Sequence, residues 1–163
     1  MRGPALLCSA IAIGLLSACA DSSTETLPQF VAFLHPMKEV PAVTTSSARG
    51  EFQASIEGNT MTYTVTFDGL TSNSIGAHIH GPATTSQAVG VLVDFNNAAA
   101  GRNITLGAVS GTGSGTIDIS PTAAITATVN GDSLRKLLLA GRLYVNVHSV
   151  NFPGGEVRGQ IVK

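Results

Sequence analysis

The sequence predicts an all-β domain: an antiparallel, Greek-key-like β-sandwich or flattened barrel with one short helix near 132–139. Three observations carry this. From Phe30 onward most short runs alternate apolar and polar residues, the period of a half-buried strand. Glycine is abundant, at 18 of 163 residues, and tryptophan is absent, a composition that suits many strands joined by tight turns. One stretch, Asn130 to Gly141, switches to helical spacing.

The elements follow in order. The folded domain is expected to span 29–163. Phe30 to Leu34 reads as the first strand, and Pro36 to Ala48, with Glu39-Val40-Pro41, as a loop. Gly50 to Ile56 and Met61 to Phe67 flank Glu57-Gly58-Asn59 and form a hairpin. Ile75 to His80 is a strand ended by Gly81-Pro82, and Val89 to Phe95 is the next. Asn96 to Arg102 is a loop, while Gly113 to Ile119 and Ala124 to Val129 carry further β-type residues. Gly111-Thr112-Gly113-Ser114-Gly115 superficially resembles a phosphate loop. It lacks the following lysine and helix, so it reads as a turn. In the helical stretch Asn130 is the N-cap and Gly141 the stop, and Leu137-Leu138-Leu139 belongs to the core rather than to a partner groove. Leu143 to His148 and Glu156 to Val162 close the domain as a hairpin across Ser149 to Gly155.

The N-terminus carries an export signature. Arg2 precedes an apolar run from Ala5 to Leu16, too short for a bilayer, which takes ~20 residues. A charged start, a short apolar run and small residues before a cut site describe a signal peptide. Leu16-Ser17-Ala18-Cys19 resembles the bacterial lipobox. Residues 1–18 are therefore expected to be cleaved, Cys19 to carry lipid and hold the protein on a membrane, and 19–28 to act as a flexible polar tether. Ala20, rather than an aspartate, implies the outer membrane if the host has one. Cys8 would leave with the signal peptide and Cys19 would be consumed by lipid, so no disulfide is expected.

Composition excludes other classes. There are nine Lys/Arg and ten Asp/Glu, so the chain is near neutral and shows no basic patch for nucleic acid. No G-x-S-x-G motif or hydrolase triad is visible.

The four histidines are His35, His78, His80 and His148. Positions two apart share a strand face. In Ile75 to His80 the core set is Ile75, Ala77 and Ile79, so His78 and His80 project from the other face. In Leu143 to His148 the core set is Leu143, Val145 and Val147, and Tyr144, Asn146 and His148 face outward. In the last strand Val157, Gly159 and Ile161 face the core, and Glu156, Arg158 and Gln160 face outward. The closing hairpin then puts His148 near Glu156 and Arg158. Three converging imidazoles suit copper or zinc. Spacing alone also allows three surface histidines that hydrogen-bond loops. Glu156 reads either as an acceptor fixing a histidine tautomer or as a salt-bridge partner of Arg158. Tyr144 reads as a residue beside the metal or as a cover for the sheet.

Ala77-His78-Ile79-His80-Gly81-Pro82-Ala83 resembles the A-H-I-H-G-P-A signature of the CHRD family, the domain first noted in chordin. Tyr144 to His148 and Gly154 to Gln160 are similar to its closing Y-V-N-V-H and G-G-E-I-R-G-Q motifs, with Val157 for the commoner Ile. Glu39-Val40-Pro41 matches its opening E-V-P. These motifs spread over 30–163. His35 falls outside them and gains no support as a ligand. The order H-x-H, V-x-V-H and G-x-x-R-G more distantly resembles copper-zinc superoxide dismutase. That resemblance implies His78, His80 and His148 as copper ligands and Arg158 as an anion-steering group, with superoxide dismutase-like activity as an extension. The zinc loop, the bridging histidine and the disulfide are absent, so only a copper site carries over, with zinc as second choice. The other reading is a non-enzymatic cell-envelope module that binds a protein or matrix partner, for which Phe152 is the best exposed aromatic.

Overall fold

The structure is a computed structural model and describes residues 29–163. The expectations for the signal peptide, for Cys19 and for the tether lie outside the described residues. The described residues form nine strands: β1 (Phe30–Leu34), β2 (Arg49–Glu57), β3 (Thr60–Asp68), β4 (Ser74–His80), β5 (Val91–Asp94), β6 (Asn103–Ile104), β7 (Gly111–Asp118), β8 (Tyr144–Ser149) and β9 (Val157–Gln160). One helix, α1 (Gly131–Leu139), precedes β8. One antiparallel sheet has the order β1-β2-β3-β7-β6 and the other β5-β4-β8-β9. The two pack as a sandwich around one apolar core. Isolated bridges from Val31 to Val162 and from His35 to Arg158 tie β1 to the end of the other sheet. The opposite edges, β5 and β6, do not pair, so no barrel closes.

Alternation builds the core. In β3, Met61, Tyr63, Val65 and Phe67 are buried, while Thr60, Thr62, Thr64 and Thr66 face solvent. Phe52, Tyr63 and Phe95 join the sheets through rings 4.7–6.2 Å apart, the offset spacing aromatic rings favour. The glycine-rich stretch expected to be a turn is strand β7. Its glycines alternate opposite bulky residues: a Cβ on Gly111 would lie 2.5 Å from Phe67, and one on Gly115 would lie 2.9 Å from the Tyr63 hydroxyl. The stripe makes room for aromatic rings that lean across from β3.

Two expectations are corrected. Ala124 to Val129 is not a strand. It folds on itself, with Ile125 and Thr126 N–H both donating to Val129 O at 3.0 Å, and only Ala124 bridges to Asn130. The two-residue strand β6 takes its place beside β7. The helix is as read, with the Asn130 side chain accepting from Ser133 N–H at 2.9 Å. Leu134 and Leu138 are buried, whereas Leu139 is exposed. Among the described residues no helix is long and apolar enough to cross a membrane.

Candidate metal centre

The site lies on the face of the four-stranded sheet that points away from the core. β4 pairs with β8 so that His78 lies opposite Asn146, and His80 opposite Tyr144. The pairing shifts between Ser74 and Gly76, with Ser74 opposite Ser149 and Gly76 opposite His148. Ile75 is the extra residue of this bulge. It is therefore 50% exposed, not a core residue as the alternation predicts. Ala77 and Ile79 do enter the core, and His78 and His80 project from the opposite face.

This outer face is not open to water, which corrects the outward assignment of its residues. Tyr144, Asn146, Glu156 and Arg158 are buried, and so are His80 and His148. Loops cover them. Val89 O accepts from His80 Nδ1, Thr84 O from Arg158 Nη2 and Ala83 O from Gln160 Nε2. Ser46, from the loop after β1, donates to Glu156 at 2.7 Å.

The sheet brings His78, His80 and His148 together, with one ring nitrogen from each within 4.8 Å of the others. Their hydrogen bonds define which nitrogens converge. A carbonyl only accepts, so His80 Nδ1–H donates to Val89 O at 2.8 Å, and His148 Nδ1–H donates to Pro153 O at 2.9 Å. In the neutral rings Nε2 then carries the lone pair. His148 Nε2 lies 2.9 Å from His78 Nδ1. On the far side of its ring, His78 Nε2 lies 3.8 Å from Asp94 Oδ1. His80 and His148 are thus held from outside by carbonyl oxygens, the arrangement that orients metal-binding imidazoles, while Asp94 stands beside His78 beyond hydrogen-bond distance. His80 Nε2, which carries the lone pair in this tautomer, faces Asn146 Oδ1 at 2.9 Å, so the pair makes no hydrogen bond. This contact and the His78–His148 hydrogen bond are the ones a metal would replace. Gly76 makes the crowding feasible: a Cβ there would sit 3.0 Å from His78 Cε1.

Burial sets the protonation. It holds the imidazolium pKa of all three histidines below the usual value, and that of His78 at about 4. For His78 the neighbouring His148 and His80 lower it further, while Asp94 pulls the other way. The cluster is neutral at neutral pH, the form that binds metal.

The other candidates are placed as follows. The Tyr144 ring stacks on His80 at 4.8 Å with an interplanar angle of 1°. The Arg158 guanidinium stacks on Tyr144, 3.5 Å from the ring centroid. β8 lies between β4 and β9, so Tyr144 separates Arg158 from the histidines. Arg158 is buried there, not displayed at an entrance to the cluster. Glu156 holds no histidine and makes no ion pair with Arg158. Its carboxylate accepts from Ser46 Oγ, Thr71 N–H, Thr71 Oγ1 and Ser149 Oγ. It is a staple between the covering loops and the sheet. His35 stands apart, its Nδ1 accepting from Met37 N–H at 3.1 Å. Phe152 is half-buried.

The sequence places Asn146 on the face of His148 but gives it no role, and Asp94 and Glu39 are not read as parts of this region. Asp94 is the cross-strand neighbour of His78, but only long-range pairing reveals this. Glu39 is buried behind Asn146. Burial pushes its carboxyl up to about 7, against the Arg158 charge and hydrogen bonds from Val40 and Asn146.

No curated protein and no solved structure matches the chain. A family model does: the CHRD domain matches residues 30–161, which takes in both sheets and all three clustered histidines. The chain therefore belongs to the CHRD domain family.

Proposed function

We propose that this protein is an exported, lipid-anchored copper-binding β-sandwich that uses His78, His80 and His148 as ligands. The convergence of three neutral imidazoles, two of them steadied from outside by backbone carbonyls, carries this reading. Imidazole donors suit copper and zinc alike. Among divalent first-row metals copper binds most tightly at such a site, and the H-x-H and late V-x-V-H order favours it too. Zinc is the second choice.

Copper held there would supply a one-electron couple. The chain's own residues do the rest. Val89 O and Pro153 O fix the tautomers of His80 and His148, Tyr144 packs flat on His80, and the loops keep most water out. His78 has a side chain 21% exposed, so the cluster reaches solvent on its side. That opening suits exchange of the ion or approach of a small oxidant such as superoxide.

The lipobox-like Leu16 to Cys19 supports anchoring through lipid on Cys19, in the outer membrane where the host has one. The polar stretch 20–28 would then hold the sandwich just off the surface. The near-neutral charge does not favour nucleic acid as a partner.

Electron paramagnetic resonance of the copper-loaded protein tests the site. Nitrogen coupling from imidazoles, altered in His80→Ala, is the expected result. A spectrum without nitrogen coupling would contradict it. The second reading, a non-enzymatic envelope module for a protein or matrix partner, draws on Phe33, which is 61% exposed. It predicts partner capture that Phe33→Ser abolishes and metal removal leaves intact.

A further inference from the structure

Asn146 stands in the middle of the histidine cluster. It lies opposite His78 across the β4–β8 pair and two residues before His148 on the same face. It is only 2% exposed. Its Oδ1 is 2.9 Å from His80 Nε2. Its Nδ2 stands beside the Glu39 carboxyl over Gly155, where a Cβ would meet both groups.

Buried polar atoms are almost always hydrogen-bonded, yet here two acceptors face each other. His80 is caught between two oxygens, Val89 O at Nδ1 and Asn146 Oδ1 at Nε2. A neutral imidazole has a single N–H, so a change of tautomer only moves the conflict to Val89. Turning the Asn146 amide would give His80 a donor but set the amide oxygen against the Glu39 carboxylate. A cation shared by His80 Nε2 and Asn146 Oδ1 satisfies every partner. The spacing fits as well. Two ligands ~2.0–2.1 Å from one metal and at a right angle to each other lie about 2.9 Å apart. That distance occurs here and again between His78 Nδ1 and His148 Nε2.

We infer that Asn146 Oδ1 is a fourth ligand of the copper ion, its amide held in the binding orientation by the Glu39 carboxyl. The inference rests on the three-histidine copper reading and adds a preference for oxidation state. An amide oxygen is a hard, neutral donor. It serves Cu(II), whereas the softer Cu(I) is satisfied by imidazoles.

The test uses copper-loaded protein whose asparagines carry carbon-13 at the side-chain carbonyl. Electron–nuclear double resonance of the Cu(II) form at pH 8 should show a coupled carbon beside the imidazole nitrogens. Asn146→Leu should remove the carbon coupling and keep the nitrogens. Competition with chelators then measures both oxidation states. Asn146→Leu should weaken Cu(II) binding about tenfold and Cu(I) binding by less than about threefold, whereas a merely structural asparagine would weaken both alike. A tenfold loss confined to Cu(II) raises the reduction potential by about 59 mV. The labelled wild-type spectrum decides the point even where Asn146→Leu fails to fold. Imidazole coupling without carbon coupling, or equal losses for the two ions, would overturn the fourth ligand and leave the histidine site standing. Bound copper without imidazole coupling would overturn both.

Discussion

The two sheets share one core but differ in what covers their outer faces. On the five-stranded sheet the outer face is a row of exposed threonines, Thr60 to Thr66 on β3. On the four-stranded sheet the same kind of face carries histidine, asparagine, tyrosine and arginine, and loops bury it. Alternation produces both faces. Covering makes the second one chemical: removal of water pushes the histidine pKa values down and holds each ring to a fixed acceptor.

Removing the cover should have the largest effect on stability. Glu156→Ala strips the acceptor from Ser46, Thr71 and Ser149. It should cost about 3 kcal/mol or more, because several buried donors lose a charged partner. Urea unfolding measures this. A loss within the error of a surface substitution would show that the cover does not depend on Glu156.

A subtler change should reach the metal without touching a ligand. Asp94→Asn keeps the shape of the residue opposite His78 but removes its charge. Metal affinity should fall by about 10–100-fold, the usual cost of losing an outer partner, with urea stability nearly unchanged. Competition with a chelator reads the first quantity.

Acid should distinguish the two faces without mutation. In the metal-free protein the folded histidines titrate below 6.5, with His78 near 4, so between those values the unfolded chain binds more protons. Stability is therefore full above about pH 6.5 and falls as pH drops toward 4. Glu39, raised from 4.5 to about 7, has the opposite sign: its contribution falls as pH rises through that range. Three histidines outweigh one carboxyl, so the net slope is set by the histidines. Glu39→Gln should steepen it. Unfolding midpoints at a series of pH values check both statements.

The control lies on the other sheet. Thr64→Ala should change stability by no more than about 0.5 kcal/mol and leave metal binding untouched.

Much of this contrast is legible in the sequence. Strict alternation in Met61 to Phe67, a turn at Glu57-Gly58-Asn59 and the H-x-H pair define a hairpin and a shared face by local rules alone. The bulge at Ile75 is not legible, because it arises from the pairing of β4 with β8. Nor is the stretch 124–129, whose β-type residues bond locally instead of joining a sheet. Gly111, Gly113 and Gly115 suggest a turn until the rings of Phe67 and Tyr63 are seen to need the space. Above all, polar residues at alternate positions imply solvent, and only distant loops overrule that. Glu156 is the clearest case, read as a neighbour of His148 but spent on holding Ser46 and Thr71.

The proposed copper site rests on the covered histidines. Metal analysis of the purified protein, produced with copper and zinc both present, tests it most directly. A single copper per chain is expected, lost when His78→Ala and His148→Ala are combined. Protein free of metal, or copper content unchanged in the double variant, would contradict it.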